Sequence, residues 1–469
     1  MRDQIAAKAF LGTLWIVCVY RAVTQSITHD EALTYQLFLK GPFNQVFHHF
    51  SSNHHFLNTI LMYLCVSLFG VSEWSMRLPA LAGAALYFAA VYRVCRHAFG
   101  EGYLFLLGIG LLTLNPFILD FMVAARGYGM ALGFWMWALA LVLQHLDNPT
   151  AGAPRKLVEA AVALSLSVVA NLVFVLPAAV LAGLLIWLPR KPSSPPAKKM
   201  KRAVAAEPSI TVYFVLPILA VALLFFLISP LESAGSADLY AGASTIQESL
   251  RSLAGVSIGH SGALIDAVAF VLAPGILLLG LAVPAFRRNL LVLLCSAVAI
   301  GSALLLVLLH LAFDLPYPLD RTGIYFLPLA TLALLGMASA APRKEAAVLA
   351  YGVSGALLLA FAIRWNVHKF AVWEYDADDR EIANRLAASV VGKRPDSVRV
   401  GSSWQLEPAL NFYRDKNRFT WMQPVARSPL NQRFDFYVLA PVDLPVVASL
   451  GLTPLYKGPV SGTILARPK

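Results

Sequence analysis

Asp30 and Glu31 stand side by side in the run Thr28-His29-Asp30-Glu31-Ala32, just beyond a first apolar stretch. Charge beside lipid costs free energy, so two carboxylates there need a reason. Sequence neighbours diverge by about 100° on a helix and about 180° on a strand. They therefore do not form the facing carboxylate pair of a double-displacement sugar transfer. One carboxylate acting as general base in a single displacement is the simpler chemistry, with the other holding a hydroxyl, a cation or the base itself. The structural alternative is an N-cap and first-turn acid for a helix starting at Glu31.

Three further groups carry chemical potential. The polar run Ser51-Ser52-Asn53-His54-His55-Phe56-Leu57-Asn58 follows His48 and His49 and precedes an apolar helix. A divalent cation is one ligand for such histidines, although no Cys or carboxylate completes a set. Substrate hydrogen bonding by His54, His55 and Asn58 is another option, and interfacial packing a third. Arg126 with Tyr128, and Arg321 after Asp320, fall at the non-cytoplasmic ends of expected spans. A guanidinium fork suits phosphate, while snorkelling to headgroups is its structural counterpart. Asp376-Ala377-Asp378 matches the DxD pattern of metal-dependent nucleotide-sugar enzymes, but it also precedes a helix, where Asp caps are expected. No Gly-rich phosphate loop or HExxH is present.

The elements that must position these residues are membrane helices. The 469-residue chain is 58% hydrophobic and 13% charged, against about half and a quarter for a soluble domain. The apolar runs give about eleven spans, at 6–25, 76–97, 103–120, 125–146, 157–171, 173–189, 210–229, 263–285, 289–310, 323–341 and 346–364. The long stretch around Asn171 is divided there. With the N-terminus cytoplasmic, Lys and Arg collect in alternate connections. Arg190 to Arg202 is a basic, Pro-rich linker. The net charge of +11 then reflects membrane orientation, and no basic, aromatic-interleaved face suggests nucleic acid. The first apolar run is expected to be a retained helix rather than a cleaved leader. Cys18, Cys65, Cys95 and Cys295 lie in or beside apolar runs without CxxC spacing, as packing residues do.

The first outer loop, 26–75, contains two short helices expected to lie along the membrane surface, 31–40 and 56–69. From 366 to 469 the composition turns polar. Expected strands at 397–400 and 434–439 and helices at 379–390 and 407–413 indicate a small α/β domain outside the membrane. The fold class is an all-α polytopic membrane protein, residues 1–365, with a C-terminal α/β extracytoplasmic domain.

Several segments resemble the GT-C superfamily of glycosyltransferases, in the branch of protein O-mannosyltransferases and the aminoarabinose transferase of lipid A. They are Asp30-Glu31-Ala32 after the first span, His54-His55-Phe56-Leu57-Asn58, and the run Phe69 to Ala80 (FGVSEWSMRLPA). Ala125-Arg126-Gly127-Tyr128 and Asp320-Arg321 followed by Tyr325-Phe326-Leu327-Pro328-Leu329 complete the set. Phe56 departs from the proline common after the loop histidine, and Thr322-Gly323-Ile324 lengthens the late element. The resemblance implies a polyprenyl-phosphate sugar donor and inverting transfer to an extracytoplasmic acceptor at the plasma (inner) membrane of a bacterium. Under it, Asp30 is the base, Glu31 its partner, Arg126 and Arg321 the donor-phosphate ligands, and His54, His55, Asn58 and Tyr128 substrate contacts. A secondary transporter or lipid flippase, or a scaffold that keeps the fold without catalysis, is the alternative. Transporters place ionisable groups near the bilayer midplane, whereas these lie at outer ends.

Overall fold

Long apolar runs with capping residues at their ends fold as helices, and each expected span lies on one or more. The computed structural model describes residues 1–148, 153–187, 209–230, 242–259, 262–390, 394 and 397–469. Among these, seven helices are long and apolar enough to cross a membrane: Arg2–Thr24, Glu73–Phe99, Gly127–Asp147, Thr211–Ile228, Gly262–Ala282, Leu290–Phe313 and Lys344–Arg364. Tyr103–Thr113, Leu172–Trp187 and Phe326–Ala340 are apolar but shorter. The helix Ala153–Ala170 completes the bundle.

The expected span 103–120 is broken in the structure. The Asn115 side chain accepts from the backbone N–H of Phe117 and Ile118, and Pro116 opens a new helix, Pro116–Phe121. Asn171 caps a turn in the same way and divides the long apolar stretch as expected. The basic linker 190–202 lies outside the described residues. In the outer loop expected between 230 and 261, an amphipathic helix, Ile246–Ile258, packs against the turn Asp320–Gly323.

The C-terminal α/β part holds one four-stranded sheet: β1 (Val400–Ser402), β2 (Phe436–Leu439), β3 (Thr453–Lys457) and β4 (Ile464–Arg467), in the order β1-β2-β4-β3. β1 and β2 are parallel and the other pairs antiparallel. The first expected strand, 397–400, corresponds to a single bridge from Val398 to Met422 followed by β1. β3 and β4 had no sequence forecast, because β3 is mostly exposed and lacks apolar alternation. The helices Asp379–Ser389 and Glu407–Lys416 match the forecast.

This part is seated on the loop that carries Asp30. The helix Glu407–Lys416 packs on His29–Thr34. Ile27, Tyr35, Phe38, Met76, Phe412 and Tyr413 share one apolar core across the joint. Glu73 is the polar centre of that joint. Its carboxylate takes Arg380 Nε at 2.9 Å, the Tyr413 hydroxyl at 3.0 Å and Lys416 Nζ at 2.5 Å.

Candidate active site

The loop after the first helix turns at Thr28, which starts the helix His29–Thr34 with a capping box. Thr28 Oγ1 accepts from the Glu31 N–H at 3.3 Å, and Glu31 Oε2 accepts from the Thr28 N–H at 2.9 Å. The helix thus starts two residues before Glu31 with Thr28 as its cap, so neither acid is the N-cap expected, and Glu31 instead closes the capping box from the first turn. The same carboxylate takes Arg77 Nε at 2.9 Å and Nη2 at 2.7 Å, a bidentate pair with both side chains fully buried. Its Oε1 also accepts from the Ala125 N–H at 2.6 Å. Arg77 spends its remaining donors on the carbonyls of Ala22, Gln25 and Ser26. Glu31 therefore ties three segments together and presents no free oxygen.

Asp30, one residue away, is left open. Its Oδ2 lies 3.3 Å from Arg321 Nη2 and 3.8 Å from Arg126 Nη2, yet accepts no hydrogen bond. Burial pushes the Asp30 carboxyl up, but Arg126, Arg321, His29 and a hydrogen bond from the Trp373 side chain together outweigh it and hold it below the ordinary carboxylate range. Arg126 is buried, donates to Asn53 Oδ1 at 2.6 Å and leaves its Nε without a partner. Its backbone is forced close to neighbours at Gly127, where a Cβ would stand 2.0 Å from the Ala170 carbonyl oxygen and 2.8 Å from His55 Cβ. Glu31 fixes the preceding peptide through Ala125, so the saturated acid aims the arginine that faces the open one.

Arg321 arrives from another element. Asp320 holds a left-handed backbone (φ 46°), and its N–H donates to Ser252 Oγ at 2.7 Å on Ile246–Ile258. The Arg321 guanidinium lies 6.0 Å from the centroid of the buried Trp373 ring. The Tyr128 hydroxyl is beside it, and the Tyr128 ring meets His55 edge-on at 5.1 Å. Burial, then Arg126 and Arg321, lower His55 well below its ordinary value, which keeps the imidazole neutral; its Nε2 has no partner. Asn58 donates to the Ala125 carbonyl at 3.3 Å and keeps Oδ1 free.

The structure thus brings together Asp30, Arg126, Arg321, Tyr128, His55 and Asn58. Glu31 is turned inward to Arg77. His54 faces away, stacked on Phe38 at 4.5 Å, where burial lowers it to about 4. Among the described residues no three His, Cys, Asp or Glu side chains converge as a metal set. In the DxD element, Asp376 Oδ2 accepts from the His29 N–H at 2.5 Å. Asp378 Oδ2 takes the N–H groups of Val460 and Ser461 and the Ser461 hydroxyl. Asp376 thus tethers the backbone one residue from Asp30, and Asp378 tethers the backbone at 460–461.

Four residues of the site escaped sequence reasoning: Arg77, Asn53, Trp373 and Asp376 in its tethering role. Arg77 lies inside the FGVSEWSMRLPA run and Asn53 inside the polar run, so both had a signal; Trp373 had none. Two cavities lie about the turn that carries Arg321, and neither is lined by Asp30, Arg126, Arg321, Tyr128, His55 or Asn58. One, of about 840 Å³, is bordered by Ser252, Asp320, Arg364 and Val372. The other, of about 410 Å³, is apolar and lined by Leu253, Leu272, Ile276, Tyr317, Pro318 and Phe326.

No protein-family model and no curated protein matches the sequence. Among solved structures, ArnT from Cupriavidus metallidurans in the apo state superposes with a TM-score of 0.52 at 14% identity, covering 98% of both chains. ArnT from the same organism bound to undecaprenyl phosphate gives 0.49 at 15% identity, covering 98% of this chain and 97% of that one. The arabinofuranosyltransferase AftD from Mycobacteria gives 0.45 at 14% identity, covering 98% of this chain and 41% of its own. The fold is GT-C, a multi-pass membrane bundle with a C-terminal sheet.

Proposed function

We propose that this chain, which has the GT-C fold, is a glycosyltransferase that moves a sugar from a polyprenyl-phosphate donor to an extracytoplasmic acceptor with inversion. The observation that carries the reading is Asp30 Oδ2, unbonded and within 4 Å of two guanidinium groups. Arg126 and Arg321 bind the donor phosphate in the gap that they now share with Asp30. The acceptor oxygen attacks the anomeric carbon, forming the glycosidic bond. The bond from that carbon to the phosphate oxygen breaks, and its electron pair leaves with the polyprenyl phosphate. The acceptor proton passes to Asp30.

The low proton affinity of Asp30 suits this order of events. Two cations beside it weaken it as a base. Once a phosphate neutralises them, the carboxylate is a stronger base at the moment it is required, and proton transfer can occur late. Placing the acceptor against the anomeric carbon supplies much of the remaining rate. The guanidinium pair also stabilises charge on the leaving phosphate. The apolar cavity at Tyr317 and Pro318 suits the polyprenyl chain, and the larger cavity beside Asp320 suits the acceptor.

Glu31 is a positioning residue in this scheme, His55, Asn58 and Tyr128 contact substrate, and the DxD acids bind no metal. Residues 1–365 form the catalytic membrane domain and 366–469 the outer domain, with the N-terminus cytoplasmic. The test is transfer from a labelled polyprenyl-phosphate sugar in membranes. Asp30→Asn should abolish transfer while donor binding persists; normal turnover in that variant would refute the base assignment. Transport of the donor across liposomes without a new glycosidic bond would favour the flippase alternative.

A further inference from the structure

At the end of the bundle opposite Asp30 lies a cavity of about 750 Å³, bordered by Lys8, Trp15, Phe88, Tyr92, Arg93 and Trp137 among others. It is formed by Arg2–Thr24, Glu73–Phe99 and Gly127–Asp147. The distance follows from the helices. Arg77 at the site and Arg93 at the cavity share Glu73–Phe99, and sixteen residues of α-helix span about 24 Å. The cavity therefore faces the other half of the membrane and takes no part in the chemistry at Asp30.

Its walls are apolar and its rim is cationic, and the cations are not all neutralised. Arg96 pairs with Glu101 at 3.2 Å, and His97 meets Asp147 at 2.7 Å. Lys8 and Arg93 have no carboxylate partner among the described residues. Lys8 Nζ lies over the Tyr92 ring at 5.5 Å, and Arg93 over the Trp137 ring at 4.8 Å. Arg93 Nη2 also donates to the neutral Gln144 amide at 2.8 Å. The aromatic faces hold both cations at the mouth without cancelling their charge. The floor is open at Gly12, where an added Cβ would meet nothing within 4 Å.

A concave apolar surface on a membrane helix bundle is filled by an acyl chain. Uncompensated Lys and Arg at its mouth favour an anionic headgroup. We propose that this cavity is a binding site for one anionic glycerophospholipid of the leaflet opposite the active site. The phosphodiester sits between Lys8 and Arg93, and one acyl chain runs over Gly12 between Trp15 and Phe88. The inference does not depend on the glycosyl-transfer reading.

Native mass spectrometry on delipidated full-length protein tests it, with phosphatidylglycerol and phosphatidylcholine titrated separately. Wild type should retain one phosphatidylglycerol about tenfold more tightly than phosphatidylcholine. Lys8→Gln with Arg93→Gln should remove that preference, and Gly12→Leu should displace both lipids by filling the floor with charge unchanged. Lys8 is exposed and Gly12 meets open space, so each single variant keeps the fold and can be read alone. Inorganic phosphate at millimolar concentration should not compete. An unaltered lipid preference in the charge variants, equal retention of the two lipids by wild type, or displacement by phosphate would each overturn the proposal.

Discussion

Asp30 and Glu31 are adjacent, chemically alike and about equally hidden from solvent, yet their surroundings divide them. Glu31 receives four hydrogen bonds from three segments and belongs to a buried bidentate pair. Asp30 Oδ2 receives none, although two arginines face it. A buried oxygen without a donor costs free energy, whereas a saturated one does not. The comparison separates the residue that builds the site from the residue left available for a ligand. Residue type and burial do not make that distinction; the accounting of hydrogen bonds does.

Exchanging amide for carboxylate at each position is the sharpest way to break the comparison. Asp30→Asn should lower turnover by about 10²–10⁴-fold, the usual contribution of a general base. Its thermal midpoint should fall only modestly, since two guanidinium groups lose a facing charge but no hydrogen bond to Oδ2 goes with it. Glu31→Gln should do the reverse. It leaves Arg77 buried without its counter-charge, a loss of about 3–5 kcal/mol, and activity should fall only with the folded fraction. Adding Arg77→Met should recover part of that loss, because replacing both members of a buried pair removes the uncompensated charge. Equal thermal stability of the two single amide variants would erase the distinction drawn here.

The two arginines around Asp30 allow a finer comparison. Arg321 is about a third exposed at its side chain, and Arg126 is buried. Arg321→Gln should reduce transfer by about 10²-fold, as for loss of one group that stabilises leaving-group charge, with little change in stability. Arg126→Gln should reduce transfer similarly but also destabilise, since it removes the bond to Asn53. In acid, wild type should stay active until the pH falls below the ordinary carboxylate range. The Asp30 carboxyl is held low in the folded protein, so its charge and the associated stability are present above the unfolded value and disappear as pH falls through the folded one. A pH profile of transfer at limiting donor, which reports the free protein, checks this, and at saturating donor the acid limb should move upward as the phosphate neutralises the arginines.

Much of this site was legible because membranes make charge conspicuous. Asp30, Arg126 and Arg321 stand out as ionisable groups at the ends of apolar runs, and the structure brings them together. The membrane bundle was legible from hydropathy, including the division at Asn171. What sequence alone could not assign was the division of labour within Asp30-Glu31, since it depends on Arg77 and on the Ala125 peptide, both distant along the chain. His54 and His55 are a second such pair, parted by whether the ring meets Phe38 or Tyr128. The break at Asn115-Pro116 was missed because hydropathy runs on through it, although the cap and the proline are visible. β3 was missed because its side chains mostly face solvent and carry no period.

A second acidic pair, Asp376 and Asp379, sets the smallest predicted effect, and its pH dependence runs opposite to that of Asp30. Asp376 and Asp379 are buried side by side, and each keeps one oxygen without a hydrogen bond. Burial first, and then the neighbouring carboxylates, raise both well above the ordinary range. Such groups stabilise the folded state while protonated, so their contribution is present below the unfolded value and is lost as pH rises through the folded value. This is the opposite of Asp30. Asp376 holds the His29 N–H, so the titration sits one residue from the base. Asp379→Asn keeps a polar side chain but removes one charge. It should raise stability by about 1 kcal/mol at alkaline pH and have no effect in acid, where the native pair is already neutral. Thermal melts across that range check it, and a constant offset between the variant and wild type would show that the two carboxyls do not share a proton.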